Sequence, residues 1–168
     1  IAGTEFSGPK AAHRGLFAGK PQILCESNKT RPDLLLWAKQ TFRQIGMYIR
    51  FMEAKAHDKH MAYVSHLSHI SSFMLGKTVL EKEEDENNIF DLAGSGFEST
   101  VRLAKSSPAM WAPIFEQNKE NVIETLDAYI DNLENFKSLL LNDDYSALFQ
   151  EMKNTNQLTS ILNGISKK

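Results

Sequence analysis

Several things are scarce in this sequence of 168 residues, and each scarcity excludes something. Cysteine occurs once, at Cys25. No internal disulfide can form, and an unpaired thiol fits a reducing compartment, the cytoplasm by default, better than a secreted one. No apolar run approaches the roughly 20 residues needed to span a bilayer, and the N-terminus lacks the basic-then-apolar order of a signal peptide. Basic excess is also missing: Lys plus Arg number 19 against 21 for Asp plus Glu. Positive charge is scattered while the one dense charge run, EKEEDE at 81–86, is acidic. A nucleic-acid partner is therefore not expected, and the acidic run reads as a solvated loop or helix end. No HExxH and no cysteine pair points to a metal site, and no GxGxxG loop points to a nucleotide phosphate. The chain opens on Ile1 where a natural start would be Met, which suggests residues upstream.

With hydrophobic residues at 42% and charged residues at 24%, what is present resembles a globular domain. The texture changes near residue 54. Before it, Gly3, Gly8, Pro9, Gly15, Gly19 and Pro21 mark loop, and PQILCES reads as a strand. RPDLLLWAKQTFRQIG reads as a helix, with Pro32 in its first turn and Gly46 at its C-terminal cap. MYIRFM at 47–52 reads as a second strand. A strand pair of this size is marginal alone. After residue 54 every strong pattern is helical: a long helix over 54–80 that ends or kinks at Gly76, a glycine turn at 94–97, a short helix in ESTVRLAKS, and a helix opened by Pro108. Val122, Leu126, Tyr129, Leu133, Phe136 and Leu140 then recur at spacings of four and three, which suits either a dimer interface or an intrachain core. A last amphipathic stretch covers 145–165.

Four of the five histidines fall in HDKHMAYVSHLSHISSF at 57–73. On a regular helix Asp58, Ala62, Ser65, His69 and Ser72 share one polar or small face. Met61, Tyr63, Val64, Leu67, Ile70, Phe73, Met74 and Leu75 surround it, a pattern expected to bury most of the helix. A polar stripe on a buried helix needs partners, since an unpaired buried polar group costs about 1 to 3 kcal/mol. Three readings remain open. The stripe could be core hydrogen bonding, or a substrate face with His69 central and Ser65 beside it. A metal site is the weakest reading, because His57 and His60 fall opposite His66 and His69. Arg102 is the one arginine after Arg50. Its guanidinium suits two-point binding of a carboxylate, and equally a surface ion pair.

Three segments together resemble the prephenate dehydrogenase family. IAGTEFSGPKAA at 1–12 with Gly15-Leu16-Phe17 is similar to the segment after that family's catalytic His-Pro. His57-Asp58 with Ala62-Tyr63-Val64-Ser65-His66-Leu67-Ser68-His69 resembles its HD...AxxSHLPH helix. Gly96-Phe97, Arg102-Leu103-Ala104, Ser107-Pro108 and Met110-Trp111 resemble its GF...TRIAxSxPxMW segment. Ser68 stands where the family commonly has Pro, and Ser99-Thr100-Val101-Arg102 where it has Asp-x-Thr-Arg.

The resemblance implies a mainly α fold: a helical dimerisation and substrate domain of 6-phosphogluconate-dehydrogenase-like type over 54–168, preceded over 1–53 by a strand-helix-strand remnant of a Rossmann domain. It implies NAD-dependent oxidative decarboxylation of prephenate to 4-hydroxyphenylpyruvate in tyrosine biosynthesis, with NAD bound mainly by an upstream domain and the catalytic histidine two positions before Ile1. The 168 residues alone would then be inactive. On this reading Arg102 binds a substrate carboxylate, and His69 is a substrate-facing hydrogen-bond partner. Thr4 and Glu5 lie beside the absent histidine, with Glu5 near the nicotinamide end. Ser65 and His66 are further substrate-side candidates, His57 and Asp58 belong to the helix start or subunit contact, and Trp111 is a packing anchor. A homodimer through the helical domain is implied. Tyrosine is a further candidate ligand, as feedback inhibitor. Two alternatives stay open: an arogenate-specific dehydrogenase, and a non-catalytic helical dimerisation or tyrosine-sensing module.

Overall fold

The structure, a computed structural model, describes residues 8–86 and 88–165. The chain divides into two compact units, Ile1–Ile123 and Glu124–Lys168.

In the first unit, β1 (Pro21–Leu24) and β2 (Tyr48–Phe51) form a two-stranded parallel sheet in the register Pro21 with Tyr48 through Leu24 with Phe51. Helix α1 (Pro32–Gln44) makes the crossover between them. Pro32 opens the helix where its missing N–H costs nothing. Gly46 closes it in the left-handed region at φ 86°, with the Met47 amide reaching back to the Phe42 carbonyl at 3.0 Å. Any side chain at Gly46 would also crowd the Ala18 backbone at 3.2 Å. The strand-helix-strand reading of this region is what the structure shows.

Beyond it the described residues are helical. Helix α2 (Ala54–Met61) passes into a single π turn (Ala62–His66) and then α3 (Leu67–Glu86). The amide of Leu67 bonds the carbonyl of Ala62, five residues back, so one extra residue is fitted into the turn. Helix α4 (Ser95–Val101) tightens into a 3-10 segment (Arg102–Lys105), and α5 (Pro108–Gln117) follows. Helix α6 (Lys119–Leu141) runs from the first unit into the second, which continues with α7 (Tyr145–Thr155) and α8 (Leu158–Ile165).

Four expectations change. Gly76 does not end α3, which runs on to Glu86. Its intrinsic helix cost of about 1 kcal/mol is small beside packing, and a methyl group placed there would meet the Ala104 side chain at 4.0 Å, so the 3-10 segment lies over it. The glycine turn shrinks to Gly94, because Ser95, Gly96 and Phe97 already belong to α4. The final stretch is two helices, parted at 156–157.

Burial around α2 and α3 also differs from what was expected, with Met61, Leu67, Ile70 and Phe73 only half-buried. The small or polar residues Ala62, His66 and Ser72 are buried, whereas Tyr63, Val64, Met74 and Leu75 are exposed. Small side chains let neighbouring helices approach closely on that face, and the apolar flanks are left uncovered. Among the described residues the buried apolar side chains are few: Met47, Ala62, Trp111 and Leu148.

The acidic run forms the last turns of α3, and one of its members has a defined structural job. The Glu83 carboxylate accepts from the amides of Asn88, Ile89 and Phe90 at 3.0, 2.6 and 3.2 Å, folding the following loop back onto the helix end. Its neighbours Lys82 and Glu86 make an exposed ion pair at 2.7 Å, which contributes little.

Candidate functional site

The π turn decides which side chains converge. A regular helix would place Ser65 on the buried line between Ala62 and His69. The extra residue advances the register, so that His66 takes the buried position and Ser65 is only half-buried.

His66 is held from two directions. Its ring meets Trp111 edge-on at 5.8 Å and Phe115 at 6.1 Å. Its Nδ1 lies 3.2 Å from the side-chain nitrogen of Asn118, which also donates to the Asp58 carbonyl at 2.8 Å. A backbone carbonyl can only accept, so the amide orientation of Asn118 is fixed, and Asn121 supports it by donating to its oxygen at 2.7 Å. Nδ1 of His66 must then be the acceptor, and its proton resides on Nε2. Burial pushes the His66 pKa below the ordinary imidazole range. The nearby His69 lowers it further, Asp58 opposes this, and His57 adds a smaller lowering.

His69 has the opposite tautomer. Its Nδ1 lies 2.9 Å from the Ser65 carbonyl and must donate to it, which leaves Nε2 of the neutral ring as an acceptor. The ring stacks on Trp111 with centroids 3.6 Å apart and planes 28° from parallel. One indole therefore orients both histidines, and Phe115 backs it at 5.3 Å. Trp111 is 7% exposed, and its Nε1 has no hydrogen-bond partner among the described residues. Its packing role stands, and one buried donor remains for which the described residues offer no acceptor.

Two clefts adjoin this cluster, and Trp111 lines both. The first, about 490 Å³, is lined by His57, Asp58, Met61, Ser65, His66, Ile114, Gln117 and Asn118 as well. The second, about 610 Å³, is apolar, with Ile70, Phe73, Met74, Leu80, Ala104, Pro108 and Phe115 in its walls and Lys77, Glu81 and Glu84 at its edge. His57 and Asp58 fall in the first turns of α2, as the helix-start reading expected. They are paired Nδ1 to Oδ1 at 3.0 Å and line the first cleft. His60 is exposed. Among the described residues no three His, Cys, Asp or Glu side chains are arranged to hold a metal ion.

Arg102 opens the 3-10 segment, is exposed, and lines neither of the two clefts. Thr4 and Glu5 lie outside the described residues. The structure therefore brings Ser65, His66, His69 and Trp111 together and adds Asn118, which the sequence reading missed. Asn118 caps the end of α5 and sits 52 residues from His66, so no local spacing signals their contact.

The segment between β1 and α1, residues 25–31, contains no glycine, and α1 starts without a phosphate-cradling loop. These residues do not fit a dinucleotide pyrophosphate.

The family model for the prephenate dehydrogenase dimerization domain matches residues 53–154. The chain belongs to the prephenate dehydrogenase family. The cyclohexadienyl dehydrogenase of Zymomonas mobilis is 28% identical over 154 residues, covering 91% of this chain and 53% of that protein. The prephenate dehydrogenase of Bacillus subtilis is 27% identical over 157 residues, covering 91% of this chain and 41% of that protein. Among solved structures, prephenate dehydrogenase from Aquifex aeolicus, in complex with hydroxyphenyl propionate and NAD+, superposes with a TM-score of 0.87 at 32% identity, over 96% of this chain and 57% of that one. The chain thus spans about half the length of the curated relatives it matches. The mainly helical fold with its small parallel sheet is that of prephenate dehydrogenase structures. No described helix is long and apolar enough to cross a membrane.

Proposed function

We propose that these residues are the dimerisation and substrate-binding part of an NAD-dependent dehydrogenase that converts prephenate to 4-hydroxyphenylpyruvate. Residues 1–53 then end its nucleotide-binding domain and 54–168 form the helical domain. The overall reaction moves a hydride from the ring carbon bearing the 4-hydroxyl to NAD+, releases the hydroxyl proton, and expels carbon dioxide as the ring becomes aromatic.

The observation that carries this reading is the pair of histidines of opposite tautomer on one tryptophan. A ring in which Nδ1 is tied to the Ser65 carbonyl presents Nε2 in a fixed direction, as an acceptor when neutral and a donor when protonated. His69 is thereby suited to hold a substrate oxygen without a further change in side-chain geometry. Beside it, burial lowers the His66 pKa and so favours its neutral form. Arg102 supplies a permanent positive charge and a planar fork for a substrate carboxylate.

The histidine accepting the hydroxyl proton is expected outside these residues, since no His-Pro pair occurs among the 168. Thr4 and Glu5 are kept as its neighbours on the strength of the resemblance, with Glu5 toward the nicotinamide. The nucleotide is assigned to residues outside this chain, since the β1–α1 connection does not suit it. The exposed apolar side chains of α6 support a homodimer, and tyrosine is kept as a candidate feedback inhibitor.

The test is NADH formation by the full-length protein that contains this chain, with prephenate and arogenate compared side by side. Turnover of prephenate supports the proposal. Turnover of arogenate alone would replace the substrate and keep the reaction. Tyrosine binding with neither turnover would leave a sensing module.

A further inference from the structure

The end of α4 has a carbonyl that its own helix does not satisfy. Were α4 to continue regularly, the Thr100 carbonyl would accept from the amide of residue 104. Instead Val101 sits at φ −91° and ψ 1°, and the chain tightens to 3-10 pairing over Arg102–Lys105, which directs that amide to residue 101. The partner for Thr100 comes from another helix. The Ser72 hydroxyl, on α3, donates to the Thr100 carbonyl across 28 positions of sequence. Ser72 is 1% exposed, so no water can stand in. The contact lies one turn beyond His69 on α3 and two residues before Arg102. One turn further along, Ala104 rests over Gly76. The Thr100 side chain is itself committed to the Gly96 carbonyl at 2.9 Å.

We propose that Ser72 is a positioning residue for Arg102. By bonding the Thr100 carbonyl, one residue before the end of α4, it fixes where the helix changes pitch, and that point sets the direction in which the guanidinium leaves the backbone relative to the His69 face. The inference rests on the proposed reading of Arg102 as carboxylate anchor. Without the hydroxyl, the freed carbonyl draws the 101–104 backbone toward regular helix, and Arg102 rotates with it.

A double-mutant cycle in the full-length protein tests this, using Ser72→Ala, Arg102→Ala and the pair, with kcat and KM for prephenate and urea midpoints measured for each. We expect Ser72→Ala to raise KM about tenfold with kcat within about twofold, and to change kcat/KM by less than about twofold once Arg102 is already alanine. Ser72→Cys, close in size and a weaker donor, should show a smaller loss of the same kind if the alanine variant folds poorly. A merely structural role would carry the same factor into both backgrounds, along with the same fall in urea midpoint, and that result overturns the inference. A parent inactive with prephenate, or indifferent to Arg102→Ala, removes the reading beneath it and the inference with it.

Discussion

The histidine-bearing helices α2 and α3 and the C-terminal helices α6 to α8 both leave apolar side chains exposed, but they differ in what lies between those side chains. On α2 and α3 the exposed Tyr63, Val64, Met74 and Leu75 flank a buried stripe of small and polar groups tied to distant parts of the chain: His66 to Asn118 and Ser72 to Thr100. On α6, Ile130, Leu133, Phe136 and Leu140 recur at helical spacing with 39% to 51% of their surface open. Most of the side-chain bonds described there are short-range, such as Asn142 to Ser138 and Tyr145 to Asp143, with Asn135 to Glu151 joining α6 to α7 at 2.6 Å. Long-range polar ties fix directions and serve chemistry. A regular apolar stripe fixes no such direction and suits association.

The most severe way to break the contrast is at Trp111. Trp111→Ala should cost about 3 to 5 kcal/mol of stability through cavity formation, read from urea unfolding, and should release both imidazoles. A loss below about 1 kcal/mol would show that the histidines are held without it. Next comes Arg102→Ala, an exposed position where stability should hardly change while kcat/KM for prephenate in the full-length protein falls about 100-fold, roughly 3 kcal/mol of transition-state binding.

On the other region, Leu133→Asp should leave the helical circular dichroism in place but weaken self-association at least about tenfold in sedimentation, since one buried leucine is worth about 1.5 to 3 kcal/mol. Unchanged association would assign the α6 stripe to another surface.

The smallest effect is a pH slope from His66. Its folded pKa lies below the unfolded value of about 6.5, so the unfolded chain binds more protons between the two values. Stability from this residue is therefore complete above about pH 6.5 and is lost as pH falls from there toward the folded pKa. His66→Gln should flatten the slope in urea midpoints between pH 5 and 7. Asn118→Asp should reverse it, because a carboxylate beside Nδ1 favours the imidazolium.

Much of this was legible in the sequence. Pro32 and Gly46 bracket α1, the apolar spacing announces α6, and three motifs in order mark the family. The site was half legible. Ser65, His69 and Arg102 came from motif positions, but helical-wheel arithmetic assumes a regular period and put Ser65 where His66 now sits. Nothing in AYVSH distinguishes a π turn from an α turn, because the choice is made by what packs against it. Asn118 escaped for a related reason, and Ser72 was placed on the polar face without its partner: each acts through a partner 28 to 60 residues away, and a lone Asn or Ser has no local signature for one. Thr4 and Glu5 lie outside the described residues.

The π turn also makes chain length at this point a structural variable. Tyr63 and Val64 are exposed within it, and either could be exchanged for another residue at small cost. Removing one of them is absorbed as well. A segment of 61 to 67 one residue shorter closes as an ordinary α turn, because the π turn already holds one residue more than a regular turn needs. The rotation of α2 relative to α3 is then kept, and the Asp58 carbonyl stays within reach of Asn118. The same deletion elsewhere in α2 or α3, where each residue accounts for about 100° of rotation, would swing one part of the helix away from the other.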